Sequence, residues 1–534
     1  MKRSTMVILS IVLVLGMNSP LRVPVKAAGV NYYVAVGAAS SGSCTIATPC
    51  SLEYALSLAN ATPEEDRIFL QSGTYTKSVD SSSAFLLINE SLKIAGGCNN
   101  TYTSCAPGNP ATILDGQAKR RVIRIALNNN GSISLDNLKI VWGNGGNTSE
   151  GYCLGGEAGC GGGVYVSSDV NNVDLTIDQC KFEGNRAKLD AGASPVQEGS
   201  GGAIYWVNPG TLTIGNSTFY GNTAINTGEG RGGAIFQLYG TSSIINSYFR
   251  QNNCNWDTSD GYGCAVYSNG NVLSFMANNT FYMNNEVPTD SGAANKEGSA
   301  VYVAYDTSHI LKANTFTSNR GGSVYALVPS VDGHGLQIAM NKFWENRANN
   351  LISVHSYSGS NQSVYILSNF LGFDSPDAVP TYKSAIDIYN MSETRSLYVK
   401  AWHNSIGYIN RGFLASYNVN LDITNNIIAF AEQAVFELTP TQVNTTGSDN
   451  IVFEVDYIAE MPATRLHETS PSFVDGVNGD FHVAYYSDAI DRGLEGLNPP
   501  IFTDIDEQPR PKFNPDIGAD EFNPYVISLP IIFK

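Results

Sequence analysis

The sequence predicts an all-β fold: a right-handed parallel β-helix solenoid with a short N-terminal helical cap. Three observations carry this. A Gly-x-small-aliphatic-aromatic run followed by Phe-x-x-Asn recurs in order, the residues seven, five and two places before each Phe keep one frame, and the composition favours short strands and tight turns. Gly numbers 52 while charged residues make up only 15% of the chain, which suits turns and strands better than helices.

The chain opens with Lys2 and Arg3, an apolar run from Met6 to Leu15, and small residues at Ala27 and Ala28. This is the layout of a Sec-type signal peptide, residues 1–27, and its apolar run is too short to span a bilayer. Its removal would take away Lys2, Arg3, Arg22 and Lys26 and move the formal charge from −17 to −21. So acidic a surface repels polyanions, so nucleic acid is not an expected partner. No transmembrane span is expected either. Residues 28–140 are read as the N-terminal cap and first coils. There Leu52, Ala55, Leu56 and Ala59 fall at helical spacing in Ser51–Ala59, an amphipathic helix suited to covering the first coil.

Residues 141–350 hold the repeats. Their first halves end at Tyr165, Tyr205, Phe236, Tyr267, Tyr302 and Tyr325, and their second halves at Phe182/Asn185, Phe219/Asn222, Phe249/Asn252, Phe281/Asn284, Phe316/Asn319 and Phe343/Asn346. Before each Phe a period-two aliphatic pair, such as Leu175 and Ile177 or Leu212 and Ile214, sets one buried face. The frame also precedes the repeats, in Ile133, Leu135, Leu138 and Ile140, and continues to Leu421, Ile423, Asn426 and Ile428. The interval from Ile406 to Ile428, 22 residues, is read as the bare coil. Longer intervals arise from inserts between Phe-x-x-Asn and the next Gly pair, ranging from Arg320 alone to Arg186–Ser200, so the inserts are expected at one edge. Parallel coils about 4.8 Å apart would make roughly fifteen coils a rod on the order of 70 Å long.

The slot two places before the Phe holds Cys180, Ser217, Ser247, Asn279, Asn314, Asn341, Asn369, Asn404 and Asn426. It predicts a corner ladder in which stacked amides bond above and below. Cys180 is therefore expected to be a buried structural thiol, and His309, in the slot of Leu175 and Leu212, part of the stack. The other eight of the nine cysteines suggest four short-range disulfides, Cys44–Cys50, Cys98–Cys105, Cys153–Cys160 and Cys254–Cys264, in an oxidising compartment. Zinc-type CxxC spacing is absent, and no metal or cofactor is expected. Residues 351–485 are read as irregular later coils, 486–522 as a C-terminal cap, and 523–534 as a short apolar tail, either a sorting tag or a final strand.

The paired Gly-Gly-Ala-Ile and Phe-x-x-Asn motifs resemble the polymorphic outer membrane protein repeat over about residues 160–350, a β-helical type that implies adhesion. The stretch Tyr32-Tyr33-Val34-Ala35, with Asp66–Leu70 and Gly73-Thr74-Tyr75, is similar to the opening of pectate-lyase-like β-helix proteins. Ala489–Gly493, Asp504-Ile505-Asp506, Arg510-Pro511 and Asp516–Glu521 resemble the choice-of-anchor Q region of bacterial surface proteins. The chain departs from autotransporters in having only twelve residues after Phe522.

The pectate-lyase-like scaffold hosts enzymes and non-enzymes alike. A polygalacturonase-like site needs clustered aspartates beside Gly-His-Gly and Arg-x-Lys. Gly333-His334-Gly335 is present, without Asp-Asp, Asn-Thr-Asp or Arg-Ile-Lys. A lyase needs an acidic calcium cluster and a cationic base. Asp504, Asp506, Asp516, Asp520 and Glu521 around Arg510 are the densest acidic group, and ion pairs holding the final loops are the plainer account. For binding, the aromatic slot of Tyr165, Tyr205, Phe236, Tyr267, Tyr302 and Tyr325, followed by His355, admits two readings: an outward ladder that stacks on sugars, or a filling stack that steadies the coil. Trp256 and Tyr262, in the loop closed by Cys254 and Cys264, are a second candidate contact. The reading taken forward is a monomeric, secreted or cell-surface binding and structural module, adhesin-like and non-catalytic, whose partner is an extracellular glycan or a host or neighbouring cell surface. The alternative is a polysaccharide lyase or glycoside hydrolase.

Overall fold

In the computed structural model the described residues run from 29 to 523, except 78–82, 107–110, 147–152, 154–158, 167–170, 188–198, 225–229, 255–260, 286–298, 305–307, 329–334, 348, 357–362, 374–382, 393–394 and 512. The expected signal peptide and most of the apolar tail lie outside them. No helix of the described residues is long and apolar enough to cross a membrane.

The chain winds as a right-handed parallel β-helix. A typical coil has three short strands, Val164–Val166, Val173–Asp178 and Lys181–Glu183, each hydrogen-bonded in parallel to its counterpart in the next coil, Ile204–Trp206, Thr211–Gly215 and Thr218–Tyr220. The register matches the frame read from the sequence: Ile133, Leu175 and Leu212 are successive partners, as are Ile140, Phe182 and Phe219. Ile406 pairs with Ile428, so a 22-residue coil is present. Among the described strands the one antiparallel pair is Phe473–Asp475 with Asp480–Val483.

Constant register places identical side chains above one another. Phe182, Phe219, Phe249, Phe281, Phe316 and Phe343 stack inside the core with centroids 4.7–5.0 Å apart, and each such ring buried stabilises the fold by about 1.5–3 kcal/mol.

Two corners of the coil are turned by left-handed residues, and each turn is followed by a polar ladder. At the first, Gln179, Asn216, Asn246, Asn278 and Ala313 have φ near +50°. The backbone N–H groups of the residues just after them donate along the ladder Cys180, Ser217, Ser247, Asn279 and Asn314. The Asn279 amide donates to Asn314 Oδ1 at 3.0 Å and to the Ile244 carbonyl at 2.8 Å. Hydrogen bonds made in a dry corner thus offset a backbone conformation that costs roughly 1–2 kcal/mol per residue. The second corner repeats the device with the Asn of Phe-x-x-Asn: Asn185, Asn222, Asn252, Asn284 and Asn319 each donate side-chain amide to the next Oδ1 at 3.0 Å.

Helix α1, Leu52–Ala59, starts at Ser51, whose side chain accepts from the Tyr54 N–H, and buries Leu52, Ala55, Leu56 and Ala59 against the first coil. At the other end Met461 is buried on the core, with Ile458 and Leu466 packed beside it. Residues 486–522, expected as the end cap, instead lie along the flank of the later coils. The end is already closed, whereas the flank offers a row of small residues, Gly372, Gly407 and Ala429. Phe481 sits on that row, where a Cβ on Gly372 would meet its ring at 2.6 Å.

All four disulfides form as expected, and Cys180 is reduced and buried. His309 is buried in the stack, with Nδ1 2.6 Å from Ser274 Oγ, and burial lowers its pKa to about 4.

Candidate binding edge

The six rings of the aromatic slot do lie outside the main core, opposite the buried Val164, Ile204, Ile235, Val266, Val301 and Val324. They are nevertheless only 1–6% exposed. Neighbouring rings lie 4.8–5.4 Å apart and within 6° of parallel, because in-register strands stack like residues along the rod axis. This geometry is that of the filling stack, the other of the two readings, rather than of a ladder open to sugars: within the stack each face meets another ring, and the Cys153–Cys160 disulfide, Val207 and Tyr262 pack on it. Arg121 closes one end, its guanidinium 4.0 Å from the Tyr165 centroid and Nη2 donating to the Cys160 carbonyl. At the other end the register partner of Tyr325 is Ser353, and His355 stands two residues on. Its ring still reaches back, with Nδ1 2.9 Å from Tyr325 Oη and Nε2 3.2 Å from Asp387.

The inserts leave and return in register. Asn144, Arg186, Thr223 and Asn253 are parallel partners where the chain departs. It returns through a small parallel sheet of Gly159–Cys160, Gly199–Ser200, Gly230–Arg231 and Gly261–Tyr262. The inserts are therefore rooted at one edge, spaced by a coil. Half-buried Tyr262 lies edge-on to Tyr302 at 5.4 Å. Trp256 lies outside the described residues, as does His334 of the Gly-His-Gly.

Beside this edge runs a row that sequence reasoning missed. Glu183, Tyr220, Arg250, Tyr282, Thr317 and Trp344 are successive register partners, each directly after a core Phe and so on the outer face. Tyr220 is 41% exposed, and the Arg250 guanidinium lies 5.7 Å from its centroid and 5.6 Å from that of Tyr282. The signal was available as the residue following each Phe of Phe-x-x-Asn.

The C-terminal acidic group is a structural knot. Arg510 donates to Glu521 Oε2 at 2.9 Å and to the Gly518 carbonyl at 2.7 Å. Asp504 accepts the N–H groups of Asp506, Gln508 and Glu521, and Asp516 those of Asp491 and Phe522. Burial pushes Asp516 up to about 6 and, together with the Asp516 charge, Glu521 up to about 7. His403 is held neutral: burial and the Arg510 charge lower its pKa, and its Nε2 accepts from Asn425. Ligand atoms of His482, Asp506 and Asp520 lie within 4.8 Å of one another. Burial opposes the His482 charge, but hydrogen bonds to Asp480 and Asp506 overcome it and raise the pKa to about 10. Lys342 also lies 3.1 Å from Asp506, so two resident cations, His482 and Lys342, already face these three acids. A cleft of about 770 Å³ beside the knot is lined by Leu497, Ile501, Phe502 and Phe513, with His403 and Arg510 also in its wall.

No family model and no curated protein matches this chain. Among solved structures it is similar to pectate lyase Pel9A, at 14% identity over 93% of this chain and 97% of that one, with a TM-score of 0.36. It is also similar to XylC in complex with xylose, at 11% identity over 92% and 98%, with a TM-score of 0.45. The fold assignment rests on this chain's own strand register.

Proposed function

We infer that this chain is an extracellular or cell-surface rod that binds glycan along its loop edge and performs no chemistry on it. The observation that carries the reading is the rooting of the inserts: departures at Arg186, Thr223 and Asn253 and returns at Gly199, Gly230 and Gly261 are in register. Loops on a rigid scaffold are the usual carriers of recognition, and an exposed row containing Tyr and Arg, residue types rich in binding energy, borders them. Four disulfides suit an extracellular setting.

The test is a screen of the protein lacking residues 1–27 against acidic and neutral polysaccharides, with and without calcium. Retention of a polysaccharide without new unsaturated or reducing ends is the expected result, and new ends would establish the lyase or hydrolase alternative instead. A variant lacking 188–198 and 225–229 but keeping the Gly and Asn anchors should fold, because the coil is untouched and closing loops costs little. If it binds as well as the parent, the edge is not the binding site.

A further inference from the structure

We propose that Arg250, held between Tyr220 and Tyr282, recognises the carboxylate of an isolated acidic sugar within an otherwise neutral glycan. This rests on the glycan-binding reading above and adds the chemistry of the ligand. Phe219, Phe249 and Phe281 point into the core, so Tyr220, Arg250 and Tyr282 point outward from three successive coils. The guanidinium is sandwiched between two rings, 5.7 and 5.6 Å from their centroids. Such cation–π contacts fix its position without using its N–H donors. Among the described residues Arg250 is in contact with these two rings and pairs with no carboxylate, although the chain carries 48 acidic residues against 31 basic ones. An exposed, pre-positioned fork of N–H groups matches a planar carboxylate.

The surroundings narrow the ligand. Tyr220 and Tyr282 are two coils apart, roughly 10 Å, the span of about two pyranose units, and offer phenol hydroxyls on either side of the cation. Lys181 lies two coils from Arg250, and Lys139, one coil further, is tied to Glu183 at 2.7 Å. One carboxylate therefore finds a partner here, whereas further carboxylates on the same ligand meet Glu183 and the field of a chain of formal charge −17. A sparsely charged glycan fits this site and a polyuronate does not.

The experiment measures affinity, by calorimetry or affinity electrophoresis, for glucuronoxylan, for the same polymer after chemical reduction of its carboxyl groups, and for polygalacturonate. Wild type, Arg250→Gln and Arg250→Lys are compared, with thermal melts to show that these exposed changes leave the fold intact. Expected are binding of glucuronoxylan, at least a tenfold loss on carboxyl reduction, the same loss in Arg250→Gln, an intermediate value for Arg250→Lys, and no tighter binding of polygalacturonate. Full binding by Arg250→Gln, indifference to carboxyl reduction, or a preference for polygalacturonate each overturns the proposal. If none of the three polymers is retained, the glycan-binding reading falls with it. If glucuronoxylan is retained equally throughout, only the role of Arg250 falls.

Discussion

Arg510 donates to Glu521 at 2.9 Å with its side chain only 1% exposed, and that single guanidinium sits in the field of four carboxylates, Asp504, Asp516, Asp520 and Glu521. The pair ties the C-terminal segment to itself, and Gly518 and Ala519 tie it to the coils through Asn425 and Ser405. Removing one partner of a buried pair strands the other, so Arg510→Ala should destabilise the segment by about 3–5 kcal/mol. Limited proteolysis should then cut within residues 486–522 while the repeats stay resistant. Equal resistance in variant and parent would contradict this role.

The same knot makes the segment sensitive to pH. Burial lifts Asp516 to about 6 and Glu521 to about 7, above their ordinary 3.8 and 4.5. The folded state thus holds protons that the unfolded chain releases. The contribution is fully present below about pH 4 and is lost as pH rises through 6 to 7. Hydrogen exchange of 486–522 should be faster at pH 8 than at pH 5 beyond the intrinsic rate change, and Glu521→Gln should flatten the difference. A segment better protected at pH 8 would reverse the assignment.

Asn314 stands mid-ladder, accepting from Asn279 and donating to Asn341 and to the Met276 carbonyl. Asn314→Ala leaves buried partners unpaired and should cost about 3 kcal/mol in urea unfolding. Asn314→Ser should cost less, since Ser217 and Ser247 fill the same slot. Equal losses in the two variants would mean that the ladder does not act through its hydrogen bonds.

Tyr267 distinguishes packing from binding. Stacked between Phe236 and Tyr302, it should cost about 3–5 kcal/mol when replaced by Ala. Tyr267→Phe, which keeps the ring and loses the hydroxyl that accepts from Asn269, should cost about 1 kcal/mol. Neither should change glycan affinity per folded molecule, and a selective loss of affinity would restore the ladder as a binding surface.

Mass mapping of the unreduced, denatured and alkylated protein should find label on Cys180 alone. In the native protein that thiol should resist alkylation, because burial pushes its pKa up to about 12. Rapid native labelling would show that the corner opens.

The coil was legible because register repeats it. Leu175, Ile177 and Phe182 reappear as Leu212, Ile214 and Phe219 at the same offsets, and the Gly and Asn anchors mark both corners. Direction was legible too, since parity placed Tyr165 and its counterparts off the core. Their coverage was not legible, because it depends on the Cys153–Cys160 disulfide, which belongs to an insert with no repeat pattern of its own. The Tyr220–Arg250–Tyr282 row stayed hidden for the opposite reason: Glu183, Tyr220, Arg250 and Thr317 share a position but no residue type. The seat of Phe481, just ahead of 486–522, required knowing that Gly372 and Gly407, 35 residues apart in sequence, are register neighbours.

The two asparagine ladders also have a mechanical consequence. Each asparagine rung's Oδ1 accepts from the coil before it, so from Asn279 to Asn346 neighbouring coils are fastened by the same small set of bonds at both corners. Under tension applied at the C-terminal end, such a rod yields one coil at a time. A bare 22-residue coil would release about 70 Å of slack, and the next rung would take up the load at a similar force. Any load carried along this rod would pass through a stepwise shock absorber.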